Sequence, residues 1–87
     1  MSVIGSVEIF GPSRCQRTSQ CVRHFWSMGI SPRIYHIDLD PWTCIIFENR
    51  APGCNPPIVF ISDKLIGDEV AIRDYDLRKV QQMIGGE

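Results

Sequence analysis

A short apolar run, VEIF at residues 7–10, stops abruptly at Gly11-Pro12. An apolar run of this length that ends at a turn signal predicts a buried strand followed by a turn. In the next segment, less polar side chains recur at the i, i+3, i+4, i+7 spacing of an amphipathic helix: Thr18, Cys21, Val22 and Phe25. Gly29 is a typical stop for that helix. The chain is therefore predicted to open with a strand, a turn and a helix.

The middle of the chain predicts a second strand and a second helix. In RIYHIDLD, residues 33–40, successive side chains alternate between two faces, as in a strand. Asp40 and Pro41 form a typical helix start, with Asp at the N-cap position and Pro at the first helical position. This helix would run to Arg50 and end before Pro52-Gly53, although its β-branched residues make a strand equally arguable.

The last third of the chain predicts two strands and a helix. PPIVFI, residues 56–61, is a strand entered through two prolines, and DKLIG, residues 63–67, is a turn leading into a fourth strand. Residues 69–84 are predicted to form one helix that ends at Gly85-Gly86. Its later apolar face consists of Leu77, Val80 and Ile84.

This order of elements restricts the topology. The first two strands flank a helical crossover, so we expect them to be parallel. The last two strands are joined by a tight turn, so we expect them to be antiparallel. The chain is therefore predicted to be an α/β protein, with a four-stranded mixed sheet and about three helices covering both faces.

Composition and charge exclude several classes of protein. With 87 residues, no repeat and no linker, we expect one domain over residues 1–87. The net charge is −1 and the nine basic residues are scattered, which argues against nucleic-acid binding. No apolar run approaches the roughly 20 residues of a membrane helix. The N-terminus does not resemble a secretory signal, so we expect a cytoplasmic protein. We also expect it to be a monomer.

The cysteines allow either a disulfide framework or free thiols: Cys15, Cys21, Cys44 and Cys54. We favour free thiols, because a chain without a secretory signal is expected in a reducing compartment. The 44% hydrophobic content also provides a core without disulfides. The sequence has no Cys-x-x-Cys pair, and neither His24 nor His36 lies at zinc-ligand spacing from a cysteine pair. We therefore expect no metal site.

Cys15 lies where the first turn meets the first helix. The unpaired backbone N–H groups and the dipole of a helix N-terminus favour a thiolate over a thiol. Arg14 and Arg17 add positive charge, and Thr18 can donate its hydroxyl hydrogen toward the sulfur. These effects predict a lowered pKa and a reactive thiol. The alternative is a half-buried cysteine in a capping turn, since arginines at a surface often have no function.

The other cysteines have different surroundings. Cys21 lies on the apolar face of the first helix and is predicted to pack in the core. Six residues of helix span about 9 Å, beyond the roughly 7 Å Cα limit of a disulfide, so Cys21 cannot pair with Cys15. Cys44 lies in an apolar run and is also predicted to be buried. Trp26 and Trp42 are interpreted as packing residues.

The element order, with a cysteine after the first strand and a proline at the start of the third, resembles the glutaredoxin branch of the thioredoxin fold. VEIFGPSRCQRT is similar to the family's opening strand, loop and C-x-x-C, and PPIVFI…LIG is similar to its V-P-x-V-F-I…I-G segment. The resemblance covers nearly the whole chain. It implies that Cys15 is the nucleophile, that Thr18 replaces the second cysteine, and that Pro57 is the family's cis-proline. It also places the loop of Cys54 near the nucleophile.

Several positions depart from the glutaredoxin pattern. Thr18 closes the dithiol route, which leaves a monothiol route or a distant resolving thiol such as Cys54; the alternative for Cys54 is an ordinary loop thiol. Pro12 replaces the usual lysine, whose charge Arg14 or Arg17 would have to supply. The other two departures lie in the segments that hold glutathione in the family. Pro56 has no N–H to bond to the glutathione backbone. The family's G-G-[SC]-D segment reads Gly67-Asp68-Glu69-Val70 in this chain, which adds negative charge beside the glutathione carboxylate.

PPIVF followed by Gly67-Asp68 also resembles a second branch of the fold, named for binding Src-homology-3 domains and for a glutamate-rich tail, which lacks the catalytic cysteine. The sequence is therefore compatible with two alternative functions. The first is a thiol–disulfide oxidoreductase that acts through Cys15 on protein or small-molecule disulfides, with no bound cofactor and with glutathione as a questionable co-substrate. It includes a protein-facing reductase recycled by thioredoxin-like partners. The second is a redox-silent protein-binding adaptor.

Overall fold

The computed structural model of the protein describes residues 7–85. The strands are β1 Val7–Gly11, β2 Arg33–His36, β3 Ile58–Ile61 and β4 Lys64–Gly67. The helices are α1 Gln16–Trp26, α2 Pro41–Arg50 and α3 Leu77–Gly85, and a short 3₁₀ helix spans Ala71–Asp74. Within residues 7–85, none of the helices is long and apolar enough to cross a membrane.

The four strands form one mixed sheet in the order β2-β1-β3-β4. β1 is parallel to β2 and antiparallel to β3, and β3 is antiparallel to β4. Ser62 and Asp63 have positive φ angles of 51° and 68°, which let the chain reverse tightly between β3 and β4. The predicted α/β class, strand directions and mixed sheet are confirmed.

Both central strands are buried because helices cover both faces of the sheet. One face packs against α1, α3 and the 3₁₀ helix through Val7, Ile9, Cys21, Val22, Phe25, Val59, Ile61, Ile72 and Val80. The opposite face packs against α2 through Phe10, Phe47, Ala51, Ile58 and Phe60. The alternation along β1 and β3 sends successive side chains into the two halves of the core. The predicted burial of Cys21 is confirmed.

The second predicted element of the middle region is a helix, not a strand. Asp40 caps α2, because its Oδ1 accepts a hydrogen bond from the Trp42 N–H at 3.0 Å. The prediction that Cys44 is buried is wrong: Cys44 is half-exposed, with its sulfur 3.9 Å from Glu48 Oε2. Trp26 and Trp42 are 60% and 73% exposed, so they are not packing residues.

The second strand and the last helix are both shorter than predicted. β2 ends at His36 rather than residue 40, because its partner strand ends at Gly11, which pairs with His36, and proline follows. The single helix predicted for residues 69–84 is divided. Tyr75 is extended, and Asp76 Oδ1 accepts from the Lys79 N–H at 2.9 Å, which starts α3 with a new cap.

The apolar face predicted for the last helix is only partly correct. Val80 is completely buried and Ile84 is half-buried, whereas Leu77 is 39% exposed. Gly85 closes α3 among the described residues, and Gly86 lies outside them. Ile72 of the 3₁₀ helix lies in the core, while Asp68 and Glu69, which precede that helix, contact Arg17 of α1.

Candidate active site around Cys15

Cys15 is the residue from which α1 begins. It has extended φ and ψ angles of −131° and 121°, and its carbonyl accepts the first helical hydrogen bond from the Ser19 N–H at 3.1 Å. Its side chain is partly exposed. The strand-to-helix turn therefore presents a thiol to solvent beside the unpaired N–H groups of the first helical turn.

The pKa of the Cys15 thiol is lowered from its ordinary value of 9.0. The largest cause is the hydroxyl of Thr18, followed by the Thr18 backbone N–H; the Arg17 N–H and charge contribute less. Arg14 lies exposed in the preceding turn and is not among these causes. The direction agrees with the prediction from sequence, but a threonine hydroxyl and the helix N-terminus matter more than the arginines.

Thr18 is 3% exposed, and its hydroxyl oxygen has no hydrogen-bond partner within residues 7–85. That hydroxyl is therefore available to donate to a Cys15 thiolate. Such a hydrogen bond removes the free-energy cost of leaving the buried Thr18 donor unpaired. Gly11 lies directly beneath it, because a Cβ at Gly11 would overlap the Thr18 side chain. The sequence predicts only a turn at Gly11, whereas the structure shows a close approach that seats Thr18.

Replacing Thr18 with valine is expected to raise the pKa of Cys15. Valine keeps the shape of threonine but removes the hydroxyl that stabilises the thiolate. We expect alkylation of Cys15 by iodoacetamide at pH 7 to slow several-fold and the midpoint of its pH profile to rise. Thr18→Ser keeps the hydroxyl and serves as the control, with a midpoint close to that of the unchanged protein. Equal midpoints for the valine and serine variants would contradict the role assigned to Thr18.

Cys21, six residues further on, is completely buried, and burial raises its pKa to about 12. It therefore has very little thiolate near neutral pH. The two cysteines of the first helical region differ in kind: Cys21 is a core residue, and Cys15 is an ionisable surface thiol.

Arg17 connects the start of α1 to the segment after β4. Its Nε donates to Glu69 Oε2 at 2.7 Å, and its Nη2 lies 3.7 Å from Asp68 Oδ2. The hydrogen bond from Arg17 is the main cause of the lowered pKa of the Glu69 carboxyl. The partners lie 51 and 52 residues apart in the chain, and no motif in the sequence indicates that they meet.

Asp68 occupies the backbone donors that follow it. Its Oδ1 accepts hydrogen bonds from the N–H groups of Val70 at 3.0 Å and Ala71 at 3.1 Å. The Ala71 N–H is the first cause of the lowered pKa of Asp68. Gly67 has a φ of 139°, and a Cβ there would lie 2.6 Å from the Ala71 side chain, so only glycine allows this approach.

The peptide bond between Pro56 and Pro57 is cis, as the resemblance predicted for Pro57. Pro57 is buried and Pro56 is half-buried at the entrance to β3. Pro56 has no N–H, so only its carbonyl can bond to a substrate backbone. A role for either proline in binding substrate stays a prediction.

A cleft of about 440 Å³ brings together four of the predicted site residues: Arg17, Cys54, Gly67 and Asp68. Ile58 and Leu65 provide apolar lining. Cys54 is half-buried and free, and its N–H donates to the Ala51 carbonyl at 3.1 Å. A disulfide between Cys54 and Cys15 stays a prediction.

The turn before Cys15 is tied to the loop after β2, a contact that the sequence does not indicate. Asp38 accepts from the Ser13 N–H at 2.9 Å and from the Ser13 hydroxyl at 2.7 Å. The hydroxyl is the main cause of the lowered pKa of Asp38. These two bonds fix the backbone two residues ahead of the thiol.

Solved glutaredoxin structures share this architecture. The chain is similar to a buckwheat glutaredoxin–glutathione complex, with a TM-score of 0.76 and 19% identity over 94% of this chain and 78% of that one. The chain has a glutaredoxin-like thioredoxin fold. A wheat glutaredoxin has a TM-score of 0.72 and 24% identity over 92% and 78% of the two chains.

The same fold occurs in a protein whose name refers to another function. Actin interacting protein 5 is similar to this chain with a TM-score of 0.71 and 14% identity, over 97% of this chain and 94% of that one. No family model and no curated protein matches the sequence. At these identities the comparisons establish the fold and not the function.

Proposed function

We propose that this chain is a thiol–disulfide oxidoreductase of glutaredoxin-like fold that uses Cys15 as its attacking thiol. One observation carries the proposal: Cys15 is partly exposed at the start of α1 with a lowered pKa. The neighbouring Cys21 is buried and has a pKa of about 12, so it cannot take this role. Thiolates rather than thiols attack disulfides, and the lowered pKa gives Cys15 a larger thiolate fraction than an ordinary cysteine has.

The reaction is an exchange that returns Cys15 unchanged. The Cys15 thiolate attacks one sulfur of a disulfide R–S–S–R′, forms a mixed disulfide with R, and releases R′ as a thiolate that takes up a proton. An external thiol R″–SH then loses its proton, attacks the R sulfur and releases Cys15 as a thiolate. The products are R–S–S–R″ and R′–SH. The Thr18 hydroxyl and the helix N–H groups stabilise Cys15 both as attacking and as leaving group.

The external thiol is either a protein thiol or glutathione. The buckwheat glutaredoxin was solved with glutathione, which supports that co-substrate for the fold. In this chain Pro56 lacks an N–H, and Asp68 already occupies the N–H groups of Val70 and Ala71. Protein thiols and disulfides are therefore the preferred partners in this proposal. It places the protein in a reducing compartment such as the cytoplasm, where all four cysteines stay free.

The proposal is tested by a thiol-transfer assay. Purified protein is mixed with a small mixed disulfide and an excess of either glutathione or a dithiol, and release of the leaving thiol is followed. We expect turnover by the unchanged protein and by Cys44→Ser, and none by Cys15→Ser. A Cys54→Ser variant that turns over normally would remove Cys54 from the mechanism. Rates equal to the uncatalysed exchange for all variants would contradict the proposal.

A protein-binding adaptor is the second candidate. α2 and the residue before its cap expose apolar side chains: Leu39 at 68%, Trp42 at 73%, and Ile45 and Ile46 at 48% each. Large exposed apolar side chains that lie together are typical of binding surfaces. The likeness to actin interacting protein 5, which is named for a protein partner, supports a protein-binding use of the fold. Turnover that Cys15→Ser abolishes would reject this candidate.

A further inference from the structure

Arg17 and Asp68 line the cleft beside α1, and Glu69 holds the Arg17 guanidinium from next to the cleft. Arg17 faces Asp68 and Glu69, and together the three side chains carry a net charge of −1. Arg17 lies in the first turn of α1, two residues after Cys15 at the N-cap, so its contacts with Asp68 and Glu69 bring both carboxylates to the helix end that carries the thiol. Because both carboxylates already pair with Arg17, its charge is neutralised before any substrate arrives.

The backbone N–H donors beside the cleft are also occupied by a carboxylate of this chain. Two consecutive N–H groups after β4 could hold a substrate carboxylate, but both donate to Asp68 Oδ1. Asp68 is nevertheless 38% exposed, while Glu69 is 12% exposed. An incoming anion finds occupied donors and a paired arginine, whereas an incoming cation finds an accessible carboxylate.

We propose that Asp68 and Glu69 make the cleft select disulfides carried by neutral or cationic peptide segments and disfavour anionic thiols such as glutathione. An anion that bonds to the remaining N–H donors of the half-exposed Arg17 guanidinium lies beside two negative charges. A lysine or arginine of a partner peptide can pair with Asp68 without breaking any contact. This inference rests on the proposed role of Cys15 and names the class of substrate for it.

Charged methanethiosulfonates test the inference without requiring turnover. In each case the Cys15 thiolate attacks the sulfenyl sulfur, a mixed disulfide forms, and methanesulfinate leaves. The probes carry a trimethylammonioethyl, a methyl or a sulfonatoethyl group, and peptide mass spectrometry reports the rate at Cys15 alone. The ratio of cationic to anionic rates cancels the thiolate population, so it reports the local potential.

The variant Asp68→Asn/Glu69→Gln removes both charges but keeps an oxygen that can accept from the N–H groups and from Arg17. We expect the cation-to-anion ratio to fall by roughly threefold, the size that two unit charges about one Debye length (~10 Å) from the reacting sulfur would produce. The matched control is Glu48→Gln/Asp63→Asn, which removes two carboxylates that neither line the cleft nor pair with Arg17, since Glu48 contacts Cys44 and Asp63 contacts Arg50. Its ratio is expected to equal that of the unchanged protein.

Two further measurements keep the result decisive. Arg17→Gln unmasks both carboxylates and is expected to raise the ratio, and added salt is expected to lower it in the unchanged protein. A ratio that is the same in Asp68→Asn/Glu69→Gln, Arg17→Gln and the unchanged protein overturns the inference, even if Cys15 catalyses exchange. A ratio that responds as expected supports it, even if the thiol-transfer assay shows no turnover and the proposed function fails.

Discussion

Iodoacetamide should modify Cys15 at pH 7 at least about thirty times faster than Cys21. A thiol with a pKa of about 12 has a thiolate fraction near 10⁻⁵ at this pH, against about 10⁻² or more for one below 9. Because the more basic thiolate is the better nucleophile, the rate of Cys21 is higher by about 1.5 orders of magnitude than its thiolate fraction alone gives. Complete burial of Cys21 then slows its reaction further.

The pH dependence has a defined sign. Lowering the pKa of Cys15 means that its reactivity is kept below pH 9 and is lost only as the pH falls through the lowered value. Peptide mapping by mass spectrometry between pH 5 and pH 10 measures both cysteines in one sample. Cys15→Ser is the control and should remove the fast phase alone. Equally slow rates for the two cysteines would leave Cys15 as an ordinary capping residue.

Truncating Phe10 to alanine should lower the free energy of unfolding by about 3–5 kcal/mol. Phe10 is 2% exposed, and its ring centroid lies 4.8 Å from that of Tyr35, 5.8 Å from Phe47 and 5.7 Å from Phe60. The guanidinium of Arg50 covers two of these rings, at 4.0 Å from the Phe60 centroid and 5.5 Å from that of Phe10. Removing the ring leaves a cavity at the centre of this cluster.

Urea unfolding followed by circular dichroism measures the change. Leu39→Ala is the matched control, because Leu39 is 68% exposed and its truncation should cost less than about 0.5 kcal/mol. A small domain with 5–15 kcal/mol of total stability could be unfolded by the alanine variant, so Phe10→Leu provides a milder second measurement. A loss below about 1 kcal/mol for Phe10→Ala would show that the Phe10 ring does not organise this half of the core.

Local signals account for the elements that were predicted correctly. β1 and β3 are short apolar runs with turn residues at one end, and they are buried on both faces as such runs predict. Asp40 and Pro41 start α2 because a capping carboxylate followed by proline needs no distant partner. The lowered pKa of Cys15 was also predictable, since the helix N-terminus and Thr18 lie within three residues of the thiol.

The wrong predictions arise where two local signals compete. Residues 69–84 have helical composition, but Asp68 and Asp76 each satisfy backbone donors, and the second cap restarts the helix. Cys44 lies in an apolar run, yet α2 buries only one face, and Thr43 and Phe47 occupy it. Composition alone does not show which of several apolar side chains a helix turns toward the sheet.

The sequence by itself determined β1 and the α1 helix that follows it, the position of Cys15 at the turn between them, and the burial of Cys21, because these depend on neighbours within one or two helical turns. Only the tertiary structure decided that Arg17 meets Asp68 and Glu69, and that Gly11 lies beneath Thr18. The arginine contact joins residues about fifty positions apart. Hydrophobic periodicity specifies which face of an element is buried but not which distant side chain lies opposite it, so the charge surrounding the thiol emerges only when the sheet assembles.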